Sequence, residues 1–166
     1  MFDDKISQRI ISLPAYMFPM LEVISYFGLK LCIGLDTPLI KNFCLAYIIP
    51  LRSFYEQNLL ILFGMMIVIF TVCSKGSIPL TKFVRFNIIQ AVLLSIAISC
   101  LGQVYFLCPV QIRESYFLIN LIINPGAIGL VLIILYACSL ILVGKYPNFP
   151  ILSEAAKIQT QRGYSD

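Results

Sequence analysis

Apolar residues fall in long blocks along this chain, and three intervals carry no charged side chain: residues 57–74, 86–112 and 115–144. A bilayer core of roughly 30 Å needs about 20 apolar residues at helical rise, because lipid offers the backbone no hydrogen-bond partner. The pattern therefore predicts spans at 54–73, 83–108 and 115–144, the last longer than a crossing requires. A fourth apolar region, 13–35, reads LPAYMFPMLEVISYFGLKLCIGL and is interrupted by Pro14, Pro19, Glu22 and Lys30. Its prolines fall near the expected helix start, where a missing N–H costs least or kinks the helix, and Lys30 can snorkel from near the far end. Residues 39–51, LIKNFCLAYIIPL, are too few for a comfortable crossing and carry Lys41 and Pro50, so this segment is expected along the interface or re-entering it. The fold class read from the pattern is all-α: a polytopic integral membrane protein with about four transmembrane helices. A short interfacial or re-entrant helix separates the first and second spans, and one membrane domain, 1–166, ends in a polar tail, 145–166.

The loops sharpen this layout. QIRES between the last two spans is short enough to make them antiparallel neighbours. GKYPNFP stops the fourth helix with glycine and prolines, and Ser153 is placed to cap a short helix in the tail. Of the 166 residues, 60% are hydrophobic and 12% charged, with a mean hydropathy of +0.92, far from the usual globular mixture. The distribution of basic residues matters more than the net charge of +4. With four spans, Lys5, Arg9, Lys75, Lys82, Arg85, Lys145, Lys157 and Arg162 share one side with both termini, against Lys30, Lys41, Arg52 and Arg113 on the other. The positive-inside rule then puts both termini in the compartment of insertion. The acidic start MFDDKISQRI resembles neither a secretory signal nor a transit peptide, so the mature chain is expected to begin at Met1.

Candidate chemistry is sparse. There is no histidine, which removes the common acid/base, nucleophile-activating and metal-ligating side chain. No dinucleotide, P-loop or nucleophile-elbow motif occurs. The six cysteines (Cys32, Cys44, Cys73, Cys100, Cys108, Cys138) have no metal-ligand spacing and read as small packing residues. The chain is thus expected to be no enzyme, with no catalytic residue, no cofactor or metal, and no nucleic-acid partner.

What remains is polarity inside apolar spans, where each polar group must find protein or water. Glu22 is the strongest single case, unless the helix starts late enough to leave it at the interface. Ser95, Ser99 and Gln103 recur at i, i+4 and i+8 beside Gly102, a polar path or a close-packing helix face. Asn120 and Asn124 share a face just before Pro125 and Gly126, a candidate hinge, and could equally make interhelical hydrogen bonds. Where the basic loop enters the third span, Lys75, Lys82 and Arg85 read as topology anchors, Arg85 meeting lipid phosphate. Asn87 and Gln90 face one neighbour from the same helix.

The stretch KFVRFNIIQAVLL, residues 82–94, resembles the signature before the third span of the twenty-kilodalton Tic subunit family. LPAYMFPMLE, residues 13–22, is similar to that family's first-span start, and ILSEAAKIQ, residues 151–159, resembles its C-terminal segment. The resemblance implies a membrane subunit of the protein-import translocon at the chloroplast inner envelope, contributing to a path for unfolded preproteins. It also implies other Tic subunits and preprotein in transit as partners, lipid contact and a possible homo-oligomer. Both termini would be stromal. Isoleucine slightly outnumbers leucine, as AT-rich genomes favour, which suits a plastid-encoded algal copy; a cyanobacterial membrane is the alternative. One departure is Ser95, standing where an acidic residue is expected in many members. Rival readings are a small-solute or ion transporter, since broken helices with mid-membrane polar groups also build transporter sites, and a non-conducting scaffold subunit.

Overall fold

The structure is a computed structural model that describes residues 5–29, 37–76, 78–113, 115–150 and 152–162. Lys30 and Cys32 lie outside the described residues. Among those described there is no strand. The helices are α1 (Lys5–Gly28), α2 (Pro38–Gln57), α3 (Leu59–Lys75), α4 (Lys82–Leu107), α5 (Ile119–Val143) and α6 (Leu152–Arg162). Helical turns at Val110–Arg113 and Tyr116–Leu118 lead into α5. α1, α4 and α5 are each long and apolar enough to cross a membrane, and α2 and α3 pass that test together as a pair bent by 74°. This is an all-α polytopic membrane architecture with three to four crossings.

α4 is the central helix, packed by α1, α3 and α6. One core joins Tyr16, Val23 and Phe27 of α1 to Ala91, Leu94 and Ile98 of α4 and Ala127, Ile134 and Ile141 of α5. A smaller one joins Cys73 at the end of α3 to Phe86 and Ile89 of α4 and Ala156 of α6.

Two sequence expectations need correction. The first helix starts at Lys5 rather than near residue 13, so Pro14 and Pro19 lie inside it. A 3₁₀ turn over Leu13–Tyr16 lets the helix run past Pro14, whose missing N–H and ring would break a regular α-helix. Glu22 consequently lies well inside a continuous helix. The helix of the expected second span, α3, starts at Leu59 rather than residue 54, because Asn58 ends α2. Its backbone N–H reaches the carbonyls of Phe54 and Tyr55, each at 3.2 Å, and its side-chain amide donates to Phe54 O at 2.8 Å. The break expected between the 39–51 segment and the next span is this elbow.

The prolines of α2 and α5 follow a common pattern. π-helical turns at Cys44–Ile48 and Ile119–Ile123 come just before Pro50 and Pro125, and the wider turn takes up the proline's lost donor and ring. Of the cysteines, Cys73, Cys100, Cys108 and Cys138 are free, but Cys44 is disulfide-bonded, so packing is not the role of all six.

Candidate functional site

The polar residues of α1 and α4 converge. Glu22 and Tyr26 stand one turn apart on α1 and face Ser95, Ser99 and Gln103, one turn apart on α4. Tyr55 joins them from the last turn of α2, carried in by the elbow at Asn58. Gln103 Nε2 donates to the Tyr26 hydroxyl at 3.0 Å. A Cβ on Gly102 would collide with the Tyr26 ring, so glycine at this position lets the ring lie against the α4 backbone. Glu22 is 4% exposed, and the side chains of Tyr55, Ser99 and Ser95 face its carboxyl. Nonetheless neither Glu22 Oε2 nor Ser95 Oγ has an aligned hydrogen-bond partner, an unusual condition for buried polar atoms. Beside this group lies a cavity of about 580 Å³ with Glu22, Tyr26, Tyr55, Ser99 and Gln103 at its polar end and the start of α3 as an apolar wall.

The remaining sequence candidates lie elsewhere. Asn87 and Gln90 are fully buried in the first half of α4. Asn87 Nδ2 donates back to Phe83 O at 2.8 Å. Gln90 Nε2 donates to Pro147 O at 3.2 Å and Ser153 Oγ at 3.1 Å. Ser153 does not cap α6 in the ordinary way: its hydroxyl accepts from Phe149 N–H at 2.6 Å and donates to Pro147 O, knotting the loop before the helix. Asn124 Nδ2 donates to Asn120 Oδ1 at 3.1 Å within α5, away from the Glu22 group, while Asn124 Oδ1 has no aligned partner. Pro125 and Gly126 are exposed.

Lys75 and Lys82 are exposed, as surface anchors would be, but Arg85 is 2% exposed and does not reach lipid phosphate. Its Nε donates to Cys73 O at 2.8 Å and a terminal nitrogen to Ser74 O at 3.2 Å. The cation thus satisfies the orphan carbonyls of α3's last turn, where the helix dipole is negative. Arg9 does the same for α5, donating to Leu142 O at 3.0 Å beneath Gly144, whose φ of 82° suits glycine. Sequence reasoning missed Tyr26, Tyr55 and Arg9. Tyr26 was readable as the residue one turn after Glu22, whereas Tyr55 and Arg9 arrive through tertiary contacts that no local pattern encodes.

The family model described as "Chloroplast import apparatus Tic20-like" matches residues 5–156. The Tic20 family protein Ycf60 of Cyanidium caldarium is 34% identical over 158 residues, covering 94% of this chain and 75% of the relative. That of Pyropia yezoensis is 31% identical over 164 residues, covering 97% and 79%. A Tic20 family protein of Synechocystis is 24% identical over 153 residues, covering 92% of each. No solved structure matches the chain. With these relatives and its apolar helices, the chain belongs to the Tic20 family, as a membrane protein of a plastid or cyanobacterium.

Proposed function

We propose that this protein is a non-enzymatic subunit of the protein-import translocon at the chloroplast inner envelope, with both termini stromal, where it lines part of a path for unfolded preproteins. The observation that carries the reading is α5: the least covered of the three helices that each qualify alone as a span, it bears the Asn120–Asn124 amide pair and the exposed Pro125–Gly126 step. A span that presents amides on a thinly covered helix needs neighbours other than acyl chains. Membership of a family described as chloroplast import apparatus supports other translocon subunits and the passing chain as those neighbours. The protein's own cavities are sized for small ligands and its helices fill their shared centre with side chains, so the path forms with other subunits or further copies.

A photo-crosslinking residue at Asn124, in envelopes carrying an arrested preprotein, tests this. Crosslinks to the preprotein are expected. Crosslinks to neighbouring subunits alone would make the protein a scaffold, and solute flux without polypeptide contact would make it a transporter.

A further inference from the structure

The cavity beside Glu22 has two properties that restrict its occupant. First, its wall is apolar on the side away from the bundle: Leu60 is 85% exposed, with Phe63, Ile96 and Val104 also exposed. An occupant therefore arrives through hydrocarbon and must carry an apolar body. Second, the polar end is rich in hydrogen-bonding groups and, among the described residues, holds no cation. Glu22 lines it with unused accepting capacity at Oε2, the Tyr55 and Ser99 hydroxyls stand beside the carboxyl, Gln103 offers an amide, and among the described residues no lysine or arginine lines the cavity. A phosphate would have to bury its charge here against a carboxyl group with no compensating partner. A head with several hydroxyls would instead donate to Glu22 Oε2, which otherwise has no aligned partner, and accept from the Gln103 amide beside its bond to Tyr26.

Depth agrees with a lipid head. Glu22 lies six residues from the end of α1 and Gln103 four from the end of α4, about 9 Å and 6 Å at helical rise. Both ends lie on the side of α2, away from the basic loop. The volume of about 580 Å³ is within the range of sites that enclose a compact head group and the root of a chain.

We propose that this cavity is a binding site for a neutral, sugar-headed diacylglycerol lipid, its head among Glu22, Tyr55, Ser99 and Gln103 and one acyl chain lying over Phe63 and Val104. The site goes beyond the translocation reading and does not rest on it.

The full chain, reconstituted in nanodiscs of phosphatidylcholine with a minor fraction of galactosyl diacylglycerol, would be extracted gently and weighed by native mass spectrometry. Preferential retention of the glycolipid, about tenfold over phosphatidylcholine, is expected. Glu22→Gln and Gln103→Leu should each reduce that preference several-fold, while Leu62→Ala, on the apolar groove of α3 that faces α1, should leave it unchanged. If Glu22→Gln fails to fold, Tyr55→Phe, which removes only a hydroxyl, and Gln103→Leu, at the exposed rim, carry the test. Equal retention of the two lipids, or a preference that survives every cavity variant, overturns the proposal. So does a photo-crosslinker at Gln103 that marks only polypeptide. The Asn124 crosslinks report on the translocation reading separately, so the two can fail independently.

Discussion

Removing the Arg85 guanidinium should release the end of α3 from the start of α4. Arg85 is among the largest fully buried side chains, and its two hydrogen bonds go to the carbonyls of Cys73 and Ser74. Hydrogen bonds from a charged donor contribute about 1.5–3 kcal/mol each. Two of them, less what the freed carbonyls recover from water at a helix end, leave about 3 kcal/mol for Arg85→Met, which keeps most of the stem's packing. At 1.4 kcal/mol per decade that is roughly a 150-fold rise in local opening. Cys73 reports it directly, being a buried free thiol whose carbonyl is one of the two acceptors. With Cys100, Cys108 and Cys138 replaced by alanine, maleimide labelling of Cys73 in mild detergent should accelerate by about that factor. Arg85→Lys, a single point donor without the planar fork, should give an intermediate rate, about tenfold faster than the parent. Lys75→Met, altering an exposed side chain one turn-end away, should change little. If Arg85→Met labels no faster than Lys75→Met, the guanidinium is not what fastens these helices, and its surface-anchor reading returns.

Gly102→Ala should push the Tyr26 ring off α4 and break its bond to Gln103, costing about 1–3 kcal/mol by overpacking, seen as a lower midpoint in thermal unfolding followed by circular dichroism; Tyr26→Ala should relieve most of it in the double variant. Gly126→Ala meets nothing within 4 Å, so it should raise stability by about 0.5–1 kcal/mol. If the Pro125–Gly126 step is a working hinge, the same variant lowers preprotein import, and unchanged import removes the hinge. Ser95→Asp would set a second carboxyl against Glu22 and should destabilise by about 2–3 kcal/mol, with Glu22→Gln restoring stability in a double-mutant cycle; additive effects would mean that the two side chains do not meet.

The reach of the sequence follows from which interactions are local. An apolar interval was legible at 83–108 because backbone self-satisfaction in lipid and the flanking charges mark it by composition alone, and α4 occupies Lys82–Leu107. The stripe Ser95–Ser99–Gln103 was legible because helical spacing fixes which residues share a face. The start of α1 was not: KISQRIIS is too polar to read as the beginning of a span, and its helix is held by Arg9 on Leu142 and by the burial of Ser12 against neighbours far along the chain. Asn58 likewise follows the polar run RSFYEQ with no glycine or proline beside it to mark a break, and its role depends on its amide bonding back to Phe54. Arg85 shows the general limit most plainly. Periodicity says that it points to one side of α4, but not that the end of another helix lies there.

These interactions divide the molecule into a fastened end and an open one. At the end with the basic loop, Arg9 ties α1 to α5, Arg85 ties α4 to α3, Gln90 ties α4 to the tail, and Ser74 bonds Gln159 at 3.0 Å. At the opposite end lie the cavity, the 74° elbow and two of the π turns, one closing α1 at Ile24–Gly28 and one opening α5 at Ile119–Ile123. π turns hold the backbone by a rarer and less regular pattern; the hydrogen bonds there include Gln103 to Tyr26 near the exposed rim and the Tyr105 hydroxyl to Arg113 O at 3.2 Å, and Cys44 of α2 is disulfide-bonded. On the translocation reading proposed above, the helices would part away from the arginine-fastened end. That reading then predicts that opening leaves the Arg9 and Arg85 bonds intact, and the polar groups of Glu22, Gln103 and Asn124 all lie toward the α2 side, where the parting would occur.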